Sequence, residues 1–334
     1  MYLLAKSKNF KSWPLKLLFG IGLLLLIFHK LQTSVIPGIL AEIKIVWLPG
    51  IIVIYWIFFS IKTLRWIALF SNQGFKLRKF DTFRAYFYSA FIGLITVGQA
   101  GDLLKMYSIK NMSTRADTNP KNLTLGEAGV SVLIERFMEF ALYLLLGGLI
   151  IIILIKDFSH SGLYYFILVS AAAFLAVIFL LCTYSRNIWL RLEKVELNRG
   201  KLFNLIVRNL KGLFYGLTQY SRNGLLIPIA LTFCAWLTVS LVFLVLAWMV
   251  NIHISYFHAL ILFPVVSLVS MIPVTIAGFG TRELALIYCL SFYGVAPERT
   301  VIFSLMIFLI TFLSLGLASA FFQLIGFISI GRKK

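Results

Sequence analysis

Residues 278–283 read Gly-Phe-Gly-Thr-Arg-Glu and interrupt one apolar stretch, while residues 98–102, Gly-Gln-Ala-Gly-Asp, end another. Each break puts glycines and a carboxylate where side chains facing hydrocarbon would be expected. A bilayer core disfavours unpaired backbone groups and buried charges, so such breaks are found where they line a protein cavity or a water-filled path. Paired breaks in corresponding halves of a chain are the best sequence indication of a transport site near the middle of the membrane.

The composition around these breaks is that of a membrane protein. Of 334 residues, 60% are hydrophobic and only 13% are charged, and the apolar runs are too long for a soluble core. The formal net charge is +19, but the cations lie in the connections between apolar runs. They therefore indicate orientation and contact with anionic inner-leaflet lipids, not a nucleic-acid partner. We predict an all-α polytopic membrane protein.

Six apolar stretches are long enough to cross a bilayer. They are residues 15–34, 47–70, 130–155, 163–184, 226–250 and 301–328. Two further stretches, 83–100 and 259–294, contain the breaks. Residues 83–100 are short, and 259–294 leaves about 10 apolar residues after Glu283, too few to cross alone.

The distribution of cations predicts the orientation of these spans. The basic segments are residues 1–14, 71–84, 103–125 and 185–224 and the C-terminal Arg332-Lys333-Lys334. The near-neutral connections are residues 35–45, 156–162, 251–258 and 295–299. The positive-inside rule places all the basic segments, and so both termini, on the cytoplasmic side of the cell membrane.

This orientation gives the two broken stretches an unusual path. Both ends of residues 83–100 are predicted inside and both ends of 259–294 outside, so each stretch enters the membrane and returns as a re-entrant helical hairpin. The order span, span, hairpin, span then occurs twice in opposite orientation, as pseudo-repeats 14–155 and 163–330 of one membrane domain. The alternative is eight ordinary spans with an imperfect charge bias.

The largest connection, residues 185–224, has apolar residues at helical spacing among its cations. This pattern predicts a basic amphipathic helix in the cytoplasm, which either lies on the inner leaflet or packs under the helix bundle.

Three charged residues lie together within the span 130–155: Glu135, Arg136 and Glu139. The two glutamates are four residues apart and share one helix face, and Arg136 can turn toward a neighbouring carboxylate or a ligand phosphate. We interpret the three as the wall of a polar cavity in which Arg136 binds an anionic headgroup bidentately. The alternative is a structural ion pair that locks helices together.

At the second break, Gly278 and Gly280 permit a tight reversal, and the residues after Gly280 begin a helix. Its free backbone N–H groups and its Arg282 side chain form a potential anion site near mid-membrane. Glu283 suits the positive end of the helix dipole and can pair with Arg136 or Arg282. The alternative is a purely local Arg282–Glu283 clasp.

At the first break, Gly98 and Gly101 have the same geometric role. Asp102 is expected to cap the returning helix, and Lys105 follows one turn later. A simple capped helix start at the membrane interface explains these four residues equally well.

With these three motifs the chain resembles the membrane region of the lysylphosphatidylglycerol synthase family, which includes flippase-like membrane proteins. The resemblance covers almost the whole chain, and the stretch 278–283 is its most specific motif. It implies movement of polar lipids between leaflets. Asp102 stands where a glutamate is expected, and the soluble aminoacyl-transferase domain of the full-length synthases does not follow, so lysyl transfer is not expected of this chain by itself.

We therefore expect an integral membrane lipid transporter whose partner is a phospholipid or glycolipid headgroup. No catalytic residue, metal site or cofactor is predicted. One alternative is a membrane-embedded transferase that uses Glu135, Asp102 or Glu283 as a base on a lipid-linked substrate. Another is an accessory subunit that binds a separate synthase at residues 185–224, and a homo-oligomer is a further expectation.

Overall fold

The structure, a computed structural model, describes residues 13–94, 96, 101, 104–108, 125–154, 184, 186–194, 201–220, 223–271, 275 and 278–331. These residues are helical or lie in the turns between helices, with no strand among them. The predicted all-α class is therefore confirmed over the described part of the chain.

The described part of the chain is built from α-helices. In chain order they are α1 (Trp13–Lys30), α2 (Ile36–Ala41), α3 (Leu48–Asn72), α4 (Lys79–Leu94), α5 (Leu125–Leu154), α6 (Lys201–Thr218), α7 (Leu226–Met249), α8 (Tyr256–Met271), α9 (Thr281–Ser291) and α10 (Pro297–Gly331). Residues 104–108 and 186–193 are also helical.

Three described helices are both long and apolar enough to cross a membrane. They span Ile45–Asn72, Leu226–Met249 and Pro297–Gly326 and match three of the predicted spans. The first predicted span is instead a bent pair, in which Leu18–Lys30 and Thr33–Ala41 meet at 85°. The chain is thus a membrane protein with several apolar helices.

The other predicted spans have different outcomes. Residues 130–155 lie almost entirely within the 30-residue helix α5, which is long enough to cross but carries Glu135, Arg136 and Glu139 in its first half. Its full crossing stays a prediction, as do the two re-entrant hairpins. The predicted span 163–184 lies, except for Tyr184, outside the described residues.

The chain divides into two compact units. The first comprises Met1–Phe58, Ala90–Gly101 and Trp236–Phe321, and the second comprises Phe59–Ser89, Asp102–Ala235 and Phe322–Lys334. Each unit contains helices from both predicted pseudo-repeats, so the units do not correspond to the repeats, which remain a prediction.

In the first unit, three of the near-neutral connections meet at Glu42. The Arg299 Nη2 donates to the Glu42 Oε2 at 2.8 Å, and the Asn251 Nδ2 donates to the same oxygen at 3.4 Å. Arg299 also donates through Nη1 to the Val250 carbonyl oxygen at 3.0 Å. The hydrogen bonds from Arg299 and Asn251 lower the pKa of Glu42 below its ordinary value.

In the second unit, segments predicted to be cytoplasmic lie together. The Asn72 Nδ2 donates to the Gly224 carbonyl oxygen at 2.6 Å, and the Gln73 Nε2 donates to the Glu127 carbonyl oxygen at 3.3 Å. Helix α6 packs directly against the first turn of α5. The approach there is so close that a Cβ on Gly126 would overlap the Asn209 carbonyl oxygen, so only glycine fits.

Candidate functional site

A buried arginine on α3 joins the two glutamates of α5. The Arg65 Nη2 donates to the Oε1 atoms of both Glu135 and Glu139, at 2.6 Å each. The Arg65 side chain is completely buried. Because the glutamates are one helical turn apart, as the sequence predicted, a single guanidinium reaches both of them.

Glu135 has further donors on other helices. The Tyr86 hydroxyl on α4 donates to its Oε1 at 2.6 Å, and the Lys105 ammonium donates to its Oε2 at 3.1 Å. The Arg65 Nη1 donates to the Thr232 hydroxyl of α7 at 3.1 Å. The cluster therefore ties together α3, α4, α5, α7 and the helical residues 104–108.

Glu139 faces two cations that are less deeply buried. The Lys62 Nζ lies 2.8 Å from the Glu139 Oε1, and the Arg136 Nη1 lies 3.5 Å from its Oε2. The exposed fraction of the side chain is 15% for Lys62 and 29% for Arg136, against 5% for Glu139. These two cations form the accessible side of the cluster.

Lys105 is held by aromatic rings as well as by charge. Its Nζ lies 4.2 Å from the centre of the Tyr86 ring and 5.9 Å from the centre of the Trp66 ring. Both distances are within the range at which a ring face attracts a cation. The ammonium group is thus stabilised where water has little access.

We call Lys62, Arg65, Lys105, Glu135, Arg136 and Glu139 the first network. It contains four cations and two carboxylates among the described residues. Asp102 is three residues from Lys105 but lies outside the described residues.

A second network forms at the break 278–283. The Arg282 Nη2 donates to the Glu283 Oε1 at 2.8 Å, and the Arg282 Nε donates to the Ser304 hydroxyl of α10 at 2.8 Å. The Ser304 hydroxyl donates in turn to the Glu283 Oε1 at 2.6 Å, and the Gly280 N–H donates to the Glu283 Oε2 at 2.6 Å. Glu283 thus caps α9 and holds Arg282 at the same time.

The glycines of this break are required by the backbone and by packing. Gly278 and Gly280 have φ values of +75° and +83°, which disfavour any residue with a Cβ. A Cβ on Gly280 would lie 2.5 Å from the Leu23 Cβ, and a Cβ on Gly20 would lie 3.3 Å from the Phe279 carbonyl oxygen. The break therefore packs closely against α1.

Arg282 is also enclosed by aromatic rings. Its guanidinium carbon lies 5.7 Å from the centre of the Phe279 ring and 5.9 Å from the centre of the Phe308 ring. With its bonds to Glu283 and Ser304, this arginine makes the contacts of the local clasp, and its predicted contact with an anion stays a prediction.

The structure brings the predicted site residues together in two sets. Glu135, Arg136, Glu139 and Lys105 lie in the first network, and Gly278, Gly280, Arg282 and Glu283 form or flank the second. Gly101 is buried, while Gly98 and Asp102 lie outside the described residues, so the predicted cap at the first break is not seen.

Four members or neighbours of the first network escaped sequence reasoning: Lys62, Arg65, Tyr86 and Thr232. A signal was present for the first two, because they are cations three residues apart inside the predicted span 47–70. Cations at that spacing share a helix face and need partners within a membrane. Tyr86 and Thr232 carried no such signal.

The carboxylates considered as bases are already engaged. Glu135 accepts hydrogen bonds from Arg65, Tyr86 and Lys105, and Glu283 accepts from Arg282, Ser304 and the Gly280 N–H. A general base needs a lone pair that can reach the substrate proton. Glu135 and Glu283 are thus each held by three donors, and Asp102, the third carboxylate considered as a base, lies outside the described residues.

The family described as "Lysylphosphatidylglycerol synthase TM region" matches residues 13–319. No curated protein and no solved structure matches the chain.

Proposed function

The chain belongs to this lysylphosphatidylglycerol synthase transmembrane family, and from that premise we propose that it moves a polar lipid between the leaflets of the cell membrane. The family indicates a membrane protein related to lipid modification or transport. In our proposal an anionic or glycosylated headgroup passes through the protein at the first network, while the acyl tails stay in the bilayer.

The observation that carries the proposal is the part-exposed pair of cations, Lys62 and Arg136, at the edge of the otherwise buried first network. A charged headgroup loses its hydration when it leaves the membrane surface, and an isolated charge in hydrocarbon is costly. Cations already held in place by Glu135 and Glu139 replace part of that hydration.

Lys62 and Arg136 are the residues we assign to the headgroup. They are the most exposed members of the network, and both face Glu139. The Arg136–Glu139 separation of 3.5 Å is longer than the 2.7–2.9 Å of a close charge-assisted hydrogen bond. Because the Arg136 side chain is 29% exposed, a phosphate oxygen can approach its guanidinium.

The second hairpin supports a re-entrant path. Helices α8 and α9 pack against each other, and His258 near the start of α8 lies with its ring centre 4.4 Å from that of Tyr293, just after α9. The tip between them meets Gly20, ten residues before the end of α1. Ten residues of helix rise about 15 Å, which is half of a hydrocarbon core about 30 Å thick.

The first hairpin has similar support. Helix α4 has 16 residues and rises about 24 Å, and the Gln73–Glu127 hydrogen bond joins the segments before and after the hairpin. This hydrogen bond supports a path in which the segment returns to the level at which it started. The segment that follows each glycine break also bears a cation that binds the next long helix. Lys105 binds Glu135 on α5, and Arg282 binds Ser304 on α10. This correspondence favours the inverted repeat.

The two networks then have different tasks. We assign Arg282 and Glu283 to holding the break 278–283 in shape, because each is bound within its own network. The headgroup contacts are assigned to Arg136 and Lys62, with Arg65, Lys105, Glu135 and Glu139 as their support.

A leaflet-exchange assay with purified protein in vesicles tests the proposal. We expect Arg136→Gln and Lys62→Gln each to slow exchange of an anionic lipid by about tenfold to a hundredfold, because each removes a charge-assisted hydrogen bond of about 1.5–3 kcal/mol. The matched control is Arg299→Gln, which removes one arginine charge from the exposed Glu42 cluster and should leave the rate unchanged.

The exchange rates are compared only for variant proteins that elute and unfold as the wild-type protein does. If folded Arg136→Gln and Lys62→Gln proteins exchanged lipid at the wild-type rate, the first network would not be the headgroup site.

A further inference from the structure

The cytoplasmic connection 185–224 forms a surface that the transport proposal does not use. Residues 186–193 form one helix and α6 another, and they are joined by side-chain contacts. The Trp189 and Tyr215 ring centres lie 5.7 Å apart, and the Lys211 Nζ donates to the Glu193 carbonyl oxygen at 3.1 Å. The two helices therefore contact each other.

This surface combines exposed cations with exposed large apolar side chains. Leu205, Ile206 and Leu210 on α6 are 45%, 51% and 40% exposed, although Val207 between them is buried. Arg208 on the same helix is exposed, and so is Arg191 on the neighbouring helix. Exposed leucine and isoleucine side chains on a helix that also carries an exposed arginine on another face are the pattern of a helix at a membrane–water boundary.

The positive charge of the connection indicates a membrane surface that contains anionic lipid. Residues 185–224 contain eight cations against Glu193 and Glu196. The position of α6 also fits a place at the membrane surface. Helix α6 packs against the first turn of α5 and therefore lies at one end of that long helix. The apolar side chains can then reach the acyl region while the arginines stay at the level of the phosphates.

We propose that the surface made by residues 186–193 and α6 binds the bilayer itself through anionic phospholipid headgroups. Arg191 and Arg208 contact the phosphates, and Leu205, Ile206 and Leu210 enter the boundary with the acyl chains. The surface shares no residue with the first network and would stand if lipid transport were disproved. A soluble protein partner at the same surface is the competing occupant.

The test places an environment-sensitive fluorophore at position 206, through Ile206→Cys in a chain whose native cysteines are replaced by serine. Ile206 is half exposed, so the label disturbs little packing. The protein is reconstituted by itself in vesicles of phosphatidylcholine, with or without phosphatidylglycerol. We expect blue-shifted emission and protection from iodide quenching only with phosphatidylglycerol, and reversal of both by salt.

Charge variants make the test specific. Arg191→Gln with Arg208→Gln should shift the equilibrium toward the unbound state by about fivefold per cation removed. The matched control, Lys76→Gln with Arg78→Gln, removes two exposed cations from another loop and should leave the signal at position 206 unchanged.

Emission that is identical in the two vesicle types would overturn the proposal, because the lipids alone would then be insufficient and a protein partner would be favoured. An equal effect of both double variants would also overturn it, since the response would reflect total charge and not this surface.

Discussion

Replacing Arg65 with methionine tests how much the first network contributes to the stability of the fold. Methionine has a similar length and no charge, so the main loss is the guanidinium that binds Glu135 and Glu139 at 2.6 Å each. Removing one partner of a buried ion pair costs about 3–5 kcal/mol, because the remaining charge stays buried without compensation. Here two carboxylates, 2% and 5% exposed, lose their shared partner.

The other cations moderate this loss without removing it. Lys105 still binds Glu135 and Lys62 still binds Glu139, so we expect a decrease of about 3 kcal/mol in the free energy of unfolding, at the lower end of that range. If Glu139→Gln is added, a cation and an anion are removed together. The double variant should be more stable than the sum of the single effects predicts, by about 1–3 kcal/mol.

The free energy of unfolding can be measured by steric trapping in micelles at neutral pH. Arg299→Met is the matched control, because it removes an arginine whose partner Glu42 is 51% exposed, and it should cost far less. If Arg65→Met and Arg299→Met destabilised the protein equally, or if the effects of Arg65→Met and Glu139→Gln were additive, the first network would not be a coupled, stabilising cluster.

Three further perturbations have expected outcomes. Gly294 has a φ of +68° and open space around it, so Gly294→Ala should lower the free energy of unfolding by about 1–2 kcal/mol. Gly280→Ala should cost about 1–3 kcal/mol more, because its Cβ would also overlap a neighbouring side chain. Equal costs would contradict the packing at the break. Gly126→Ala should separate α6 from α5 and speed hydrogen exchange in α6, while Gly22→Ala, with no atom within 4 Å, should not. Glu42 has a lowered pKa in the folded protein, so ionised Glu42 stabilises the fold fully above the ordinary carboxyl pKa. This stabilisation is lost as the pH falls through the pKa of Glu42 in the folded protein. A Glu42→Gln protein with the same pH dependence of unfolding as the wild type would contradict this.

Much of the fold could be predicted from local sequence. The spans 47–70, 226–250 and 301–328 appear as long apolar helices, since hydrophobic length alone decides whether a segment can cross. The break 278–283 and the helix that follows it were also predictable, because glycine and the capping glutamate act within a few residues.

The path of the first span shows where local signals are insufficient. Residues 15–34 read as one span, yet the helix ends at Lys30 and the chain turns by 85° before a second short helix. An apolar count does not distinguish a straight helix from a bent pair. Pro37 at the start of α2 was the available signal for a new helix.

The candidate site was only half predictable. Glu135, Arg136 and Glu139 stood out as charges in an apolar run, but their main partner, Arg65, lies 70 and 74 residues from the two glutamates in sequence. The sequence shows that a charged side chain has several possible partners, but it does not show which of them the fold brings into contact. The same limit applies to Arg282, which the sequence left between a ligand contact and a clasp.

The sequence by itself therefore determined that this is a helical membrane protein, where apolar helices lie, and that charges and glycine breaks occur within them, because those properties depend on segments of a few turns. Only the tertiary structure decided that Arg65 joins the two glutamates, that Arg282 is enclosed by its own break, and that Arg136 and Lys62 remain accessible. Those outcomes depend on which distant helices pack together, since a buried charge is stabilised by whichever partner the packing brings within a few ångströms.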